Sequence, residues 1–552
     1  MPLRPQPHRV DARSLAAFRI LLSAYILHDL YRRLEHGRLS LAWYYSDEQS
    51  ADGYFYPSIL DATDSPHGSP VHKFWFYRGS PQLQMAIFVI TTFLALLFGM
   101  GFRCQMTSIL LWLFMNGLQN RSPHLADGSD LYMRNMLLWC TVCPIGRVWS
   151  YDATSKKKVI ARSASIHKKD DDCTQDNTRT LGRNGQDNPY IIESIGSLGC
   201  TLQVGLMYYG AVWRRFAGSM WLWPDLTAVY YVMNNGFATR QWAADLIRSA
   251  PQLSRYMTGA AMIMELSCPA ACLLAPCDGN SWRHIPAMLL ISFHLSLFAC
   301  MRLFNWQFMS ILCCIIFIPS NVWDRWTGEG PKIQGERSDN SLGGKTRKLF
   351  ASFFLFYMVY NWCGERRWIA KHDHGDIGEF LRFNQNWLMY GPDVSRTTMA
   401  TLITGKVQES GTQNDNSTDS KLEPRRLDIL RAIRDNDWGS NCEIDYSTYM
   451  FMRHEETPSD MAARFPSWRW EVSLKDWVKE RVKPRSMTPS RRSKRLGHVL
   501  CVAANDARKG ISEKISQVEL VFWSMRTVDF GKASIEHRFE RLRDDLVVKV
   551  EC

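Results

Sequence analysis

The chain has 552 residues, 66 Lys and Arg against 54 Asp and Glu for a net charge of +12, and 46% hydrophobic residues. That length excludes a single small domain, and two or three folding units are expected. A mean hydropathy of −0.23 resembles a soluble protein only because it averages two unlike parts: apolar blocks lie before about Cys363 and the rest is polar. The charge excess fits basic cytosolic loops beside a membrane. No nucleic-acid-binding motif accompanies it, so nucleic acid is not an expected partner.

In chain order, the apolar periodicity predicts spans at 14–30, 84–101, 106–120, 131–148, 190–212, 256–275, 285–303, 305–320 and 348–363. Hydrocarbon offers backbone groups no water, so such runs must be helical. The first is impure, with Arg19 inside and His28 and Asp29 at its end; the fifth begins polar and ends in Arg214 and Arg215. The expected fold is therefore an all-α multi-pass transmembrane bundle of eight or nine spans with a polar, β-containing C-terminal domain. Residues 1–152 form the first half of the bundle, 153–189 a basic disordered linker, 190–395 the second half and 396–552 the polar domain. Trp and Tyr flank many of the runs, as expected of a headgroup belt.

With nine spans, the basic N-terminus and the linkers 153–189 and 321–347 fall on one side, which the positive-inside rule makes cytosolic. The C-terminal domain is then lumenal or external, in an endomembrane of the ER kind or the plasma membrane. Runs at Thr397–Val407, Val518–Trp523 and Leu546–Val550 are strand-like. The sequon Asn416-Ser417-Thr418 makes Asn416 a glycosylation candidate, and Cys442 and Cys501 could pair in a lumenal tail. Cys140-Thr-Val-Cys143 sits in a span with no second pair, so no metal site is expected.

Ionisable residues inside lipid-crossing helices are costly and mark candidate sites. Glu265, among small and apolar neighbours, and His294, in mid-span, are the candidate catalytic, proton-handling groups. Arg19, Arg134 or His294 are the expected partners of Glu265 if it is structural. Trp387, in Gln385-Asn386-Trp387, reads as an interface anchor at the membrane surface.

Short signatures also recur in order: Asp11-x-x-Ser14-Leu15-x-x-Phe18-Arg19; Trp43-Tyr44-Tyr45-Ser46-Asp47; Gly101-Phe102-Arg103; Asn120-Arg121-Ser122-Pro123 and Asp130; Ser150-Tyr151-Asp152; Gln203 with Met207-Tyr208-Tyr209; Trp221; and Gln385-Asn386-Trp387-Leu388-Met389-Tyr390-Gly391-Pro392. Over residues 10–395 this resembles the HTTM (horizontally transferred transmembrane) domain shared with vitamin K-dependent γ-carboxylase. The resemblance implies a helical bundle with a lumenal C-terminal portion. Arg19, Asp47, Arg121, Asp130, Arg134, Gln203, Tyr208 and Arg214 are the candidate substrate or cavity residues, with a structural clamp the competing role for Arg19 and Arg134 and a plain helix-hairpin turn for the loop of Arg121 and Asp130. The resemblance also implies reduced vitamin K, or another quinol, as cofactor if the family activity is retained. The carboxylase keeps a lysine base where this chain has Arg214 and Arg215, and arginine does not give up its proton. The expected function is thus a membrane-embedded enzyme acting on a lipid-soluble or membrane-presented peptide substrate, with glutamate carboxylation itself disfavoured. The alternative is a non-enzymatic module for transport, export or assembly.

Overall fold

The computed structural model describes residues 8–34, 80–121, 127–155, 190–234, 238–278, 281–328, 342–369 and most of 389–408, 425–445, 491–508, 513–530 and 539–552, with 383, 385 and 387 between them. Asp47, Asn416 and all but the first residues of the linker 153–189 lie outside this set.

Strand β1 (Arg9–Asp11) pairs antiparallel with β2 (Ile191–Glu193). It leads into α1 (Ala12–Arg33), whose first turn is capped by Asp11 accepting from the Arg13 amide. Helix α2 (Pro81–Met100) starts on the Ser80 cap with Pro81 in its first turn, and Gly101 ends it in the left-handed conformation, φ 74°. Helix α3 (Cys104–Arg121) precedes α4 (Gly128–Val142), which opens on a capping box of Asp127 and Asp130. Ser194 and Ser197 build the same device at α5 (Ile195–Arg215). Then come α6 (Ala228–Asn234), α7 (Gln241–Ser249), α8 (Pro251–Leu274), α9 (His284–Cys300), α10 (Phe304–Cys314), α11 (Ser320–Thr327) and α12 (Leu342–Glu365).

Side-chain contacts fix the direction in which neighbours run. Arg19 reaches Gly99 while Ser23 reaches Ala95, so α1 and α2 are antiparallel. Ser108 meets Cys140 and Gln119 meets Asp130, so α3 and α4 are too. Asp29 meets Asn305 and Ser14 meets Ile318, which opposes α1 to α10. Helices α4 and α5 approach so closely that a methyl on Gly199 would fall 2.1 Å from the Trp139 ring. Only glycine fits there.

Two helices among the described residues, α2 and α8, are long and apolar enough to cross a membrane. A third joins them if 305–317 and α11, bent by 94° at the Ile318–Pro319 break, count as one span. This corrects the expected eight or nine. The reasons are local. Helix α1 holds Arg13, Arg19, Asp29, Arg32 and Arg33, α12 carries Lys345, Arg347 and Lys348, and α4 and α9 are 15 and 17 residues long. Outward faces are nonetheless oily: Val89, Phe93, Ile263, Leu349 and Phe356 are exposed.

The C-terminal part is an antiparallel sheet in the order β5-β4-β3-β6-β7, with β8 also on β6. Its strands are β3 (Thr397–Gln408), β4 (Arg426–Asp428), β5 (Glu443–Ile444), β6 (Lys514–Thr527), β7 (Phe539–Arg541) and β8 (Leu546–Glu551). Helices α13 (Ile429–Asp435) and α14 (Arg491–Ala507) pack on it, around Ile403, Leu430, Leu500, Val518 and Val548. Arg426 and Glu519 form a buried pair at 2.6 Å. The disulfide joins Cys501 to Cys552, not to Cys442, whose thiol is buried and free. Register explains this: β8 lies beside β6 under α14 and carries the C-terminal cysteine up to the helix. Cross-linking residues 51 apart removes unfolded-chain freedom, and Cys552→Ser or reduction with dithiothreitol is expected to cost the sheet about 2–4 kcal/mol. Protease sensitivity of the sheet should rise equally for both treatments.

The sheet touches the bundle through the turn after β6. Phe530 meets the Tyr230 ring edge-on at 5.0 Å, and its amide donates to the Tyr231 hydroxyl at 3.3 Å. Asp529 pairs with Arg396 at 3.2 Å.

Candidate functional site

Three polar groupings among the described residues of the bundle gather most of the sequence candidates. The first contains both tyrosine and histidine. Helix α5 directs Tyr208 inward, α9 brings His294 and α10 brings Gln307, and all three are buried. The Tyr208 hydroxyl is 2.7 Å from His294 Nε2, and His294 Nδ1 is 2.9 Å from Gln307 Oε1. An amide oxygen only accepts, so Nδ1 carries the proton. Nε2 is then left to accept from the Tyr208 hydroxyl. The result is an uncharged line in which the imidazole accepts a hydrogen bond from the phenol. Cys314 Sγ sits 3.5 Å from the same hydroxyl.

Beside it, Gln203 and Gln385 exchange reciprocal amide bonds of 2.9 and 3.0 Å, and Trp387 Nε1 donates to Gln385 Oε1 at 3.1 Å. The Trp387 ring packs against Tyr132 at 5.6 Å and Trp306 at 6.4 Å. Trp387 is thus a core residue, 2% exposed, rather than the expected surface anchor. In the segment after α12 the described residues 383, 385 and 387 are all buried.

The second grouping is a buried ion pair between Arg215 and Glu265. The guanidinium lies 4.1 Å over the Trp221 ring, and its Nε donates to the Met389 carbonyl at 3.3 Å. Glu265 is therefore paired with a residue that the sequence left aside, not with Arg19, Arg134 or His294. Arg214, the next residue along, is half-buried, with Gly391 packed on its Cβ.

The third grouping is a chain of five. Arg33 bridges Asp29 at 2.7 Å and Asp130 at 2.6 Å. Gln119 donates to Asp130 at 3.1 Å and accepts from Arg134 at 2.5 Å. Two arginines against two aspartates balance the charge, and every side chain is buried. Asp130 and Arg134 hold three helices, α1, α3 and α4, together. Arg19 likewise clamps backbone: it donates to the carbonyls of Gly99, Ile145 and Trp149, the last very closely. Helix and turn ends expose carbonyls that a cation satisfies well.

Of the sequence candidates, Tyr208, His294 and Gln203 come together in the bundle core. Arg215 and Glu265 form a separate site under Trp221. Arg19, Asp130 and Arg134 lie in clamps apart from both, and Arg121 ends α3. Gln307 and Arg215 were missed. Gln307 carries a usable signal, a polar amide within the apolar run 305–320; nothing in the sequence singles out Arg215 from Arg214. Among the described residues no group of three His, Cys, Asp or Glu side chains could hold a metal ion. No protein-family model, curated protein or solved structure matches this chain.

Proposed function

We propose that this chain is a multi-pass membrane protein whose interior binds a lipid-soluble substrate through Tyr208 and moves a proton by way of His294. The observation that carries this reading is the wholly buried Tyr208–His294–Gln307 line. Such a line costs desolvation free energy, which favours its retention for chemistry or binding. In this reading α2, α8 and the bent pair of 305–317 with α11 cross the bilayer, and the other helices of the bundle pack against them. On α1 Arg13, Arg19, Asp29 and Arg33 point inward and are buried, whereas Lys345 and Lys348 at the start of α12 are exposed; Val89, Ile263 and Phe356 face out. The basic linkers leave the end opposite the sheet, and a disulfide fits an oxidising compartment for the sheet. Both support a lumenal C-terminal domain, with the bilayer as the constant partner.

The resemblance to the carboxylase-like HTTM proteins remains part of this proposal, but vitamin K-dependent carboxylation does not. That reaction needs a base at the end of α5. The inward residue there is Arg215, held by Glu265 and stacked on Trp221. It cannot deprotonate a quinol, so no carboxylation step is derived.

The test is recovery of whatever small molecule fills the bundle. The full chain, purified in detergent, should release a hydrophobic compound into organic solvent. His294→Gln and Tyr208→Phe, if folded, should retain about tenfold less, the loss of one buried hydrogen bond. Equal retention by all three proteins would sink the assignment. The closed Arg215–Glu265 pair favours one rival, a non-catalytic transport or assembly module. Substrate flux across reconstituted liposomes, without turnover, would decide for it.

A further inference from the structure

The last turn of α12 buries three hydrogen-bond donors that have no acceptor: Asn361 Nδ2, Trp362 Nε1 and Arg366 Nε. Buried donors in a folded protein are nearly always paired, so three within six residues mark something missing. Arg366 is the telling one. It is 8% exposed, its guanidinium lies 4.2 Å over the Trp362 ring, and Nη1 reaches only the Trp362 carbonyl at 3.3 Å. It has no carboxylate partner among the described residues, unlike Arg13, Arg33, Arg215 and Arg426. The protein has placed a cation out of water with no carboxylate in salt-bridge contact among the described residues, which is costly.

The backbone makes room for it. A methyl on Gly210 would fall 2.6 Å from Arg366 Nη2 and 2.8 Å from the Trp387 ring, so the guanidinium rests over the bare main chain of α5. Around it Trp368 packs edge-on against Trp213 at 5.3 Å and Trp362 at 5.2 Å, and Trp368 itself is exposed. A tryptophan collar at the end of a membrane helix sits at headgroup depth.

We propose that Arg366 and Trp362, over Gly210, bind a phosphate group, carried either by a membrane phospholipid or by a soluble phosphate. A tetrahedral oxyanion accepts from several converging donors at once, and a guanidinium fork matches it. The site is separate from the Tyr208–His294–Gln307 line, so either assignment can fail while the other stands.

The test is thermal melting of the full chain in phosphate-free detergent. The added probes are phosphatidylglycerol, diacylglycerol of the same acyl chains, and inorganic phosphate. Phosphatidylglycerol should raise the melting temperature and diacylglycerol should not. A rise with inorganic phosphate as well identifies a soluble source; a rise with the lipid alone identifies a headgroup. Arg366→Met should abolish the rise. Without any anion it should melt no lower than the parent, because it removes an uncompensated charge; a purely structural arginine would lower it. Gly210→Ala keeps the cation but crowds the guanidinium, and should weaken phosphate binding about tenfold. If Arg366→Met does not fold, Gly210→Ala alone carries the test. No anion-dependent rise in the parent, or a rise that survives these changes, overturns the proposal.

Discussion

Asp130→Ala should leave little folded protein. Its carboxylate accepts from Arg33 at 2.6 Å, from Gln119 at 3.1 Å and from the Asp127 amide at 3.0 Å. Removing it orphans one end of the Arg33 fork, strips Gln119 of an acceptor and opens the capping box of α4. Breaking a buried charge network from one side costs about 3–5 kcal/mol, and loss of a helix cap adds about 1 kcal/mol. A domain holds only about 5–15 kcal/mol in total. The expected result is a collapse of the monodisperse peak in fluorescence-detected size exclusion. Asp130→Asn, which keeps acceptors for two of the three donors, should fall between parent and Ala. An unaltered elution profile for Asp130→Ala would mean the network contributes nothing.

Arg215→Met should be nearly as damaging alone and mild in combination. Taken singly it leaves the Glu265 carboxylate buried under Trp221 with its cation gone, a cost of about 3–5 kcal/mol. Glu265→Met exposes the guanidinium to the converse problem. The double variant removes both charges and replaces them with apolar volume, which in buried pairs is often neutral or better. Thermal melting of the four proteins closes a double-mutant cycle, and a coupling of about 2 kcal/mol or more is expected. Additive losses would show that the two side chains do not depend on each other. The same four proteins separate stability from function: a double variant that melts normally but no longer retains its ligand assigns the pair a role in binding.

The sequence revealed helices more readily than their charge partners. Apolar runs at 84–101, 256–275 and 285–303 became α2, α8 and α9 with ends shifted by a few residues. The strand-like runs in the tail became β3, β6 and β8, because alternation and β-branched content need no knowledge of the rest of the chain. The segment 305–320 was legible as apolar, but not its bend, which Pro319 imposes by starting a new helix axis. Span counting went astray because hydropathy treats every arginine alike. Arg19 among carbonyls and Arg33 between aspartates are each neutralised by groups far along the chain. Gln203 finds Gln385 across 182 residues, and Arg215 finds Glu265 across 50. Such pairings arise from helix register, which no local window contains. Gln385 and Trp387 looked like a surface; they are buried because the Gln385 amide answers Gln203 and accepts from Trp387.

The grip of Tyr230 and Tyr231 on Asp529 and Phe530, with Arg396 over the Tyr231 ring, ties the sheet to the bundle. Helix α6 belongs to the same apolar nest as Trp221, whose ring supports Arg215. Any swing of the sheet must first withdraw a phenylalanine from that nest, so a load applied to the tail arrives, through a handful of rings, at the only salt link between α5 and α8 among the described residues.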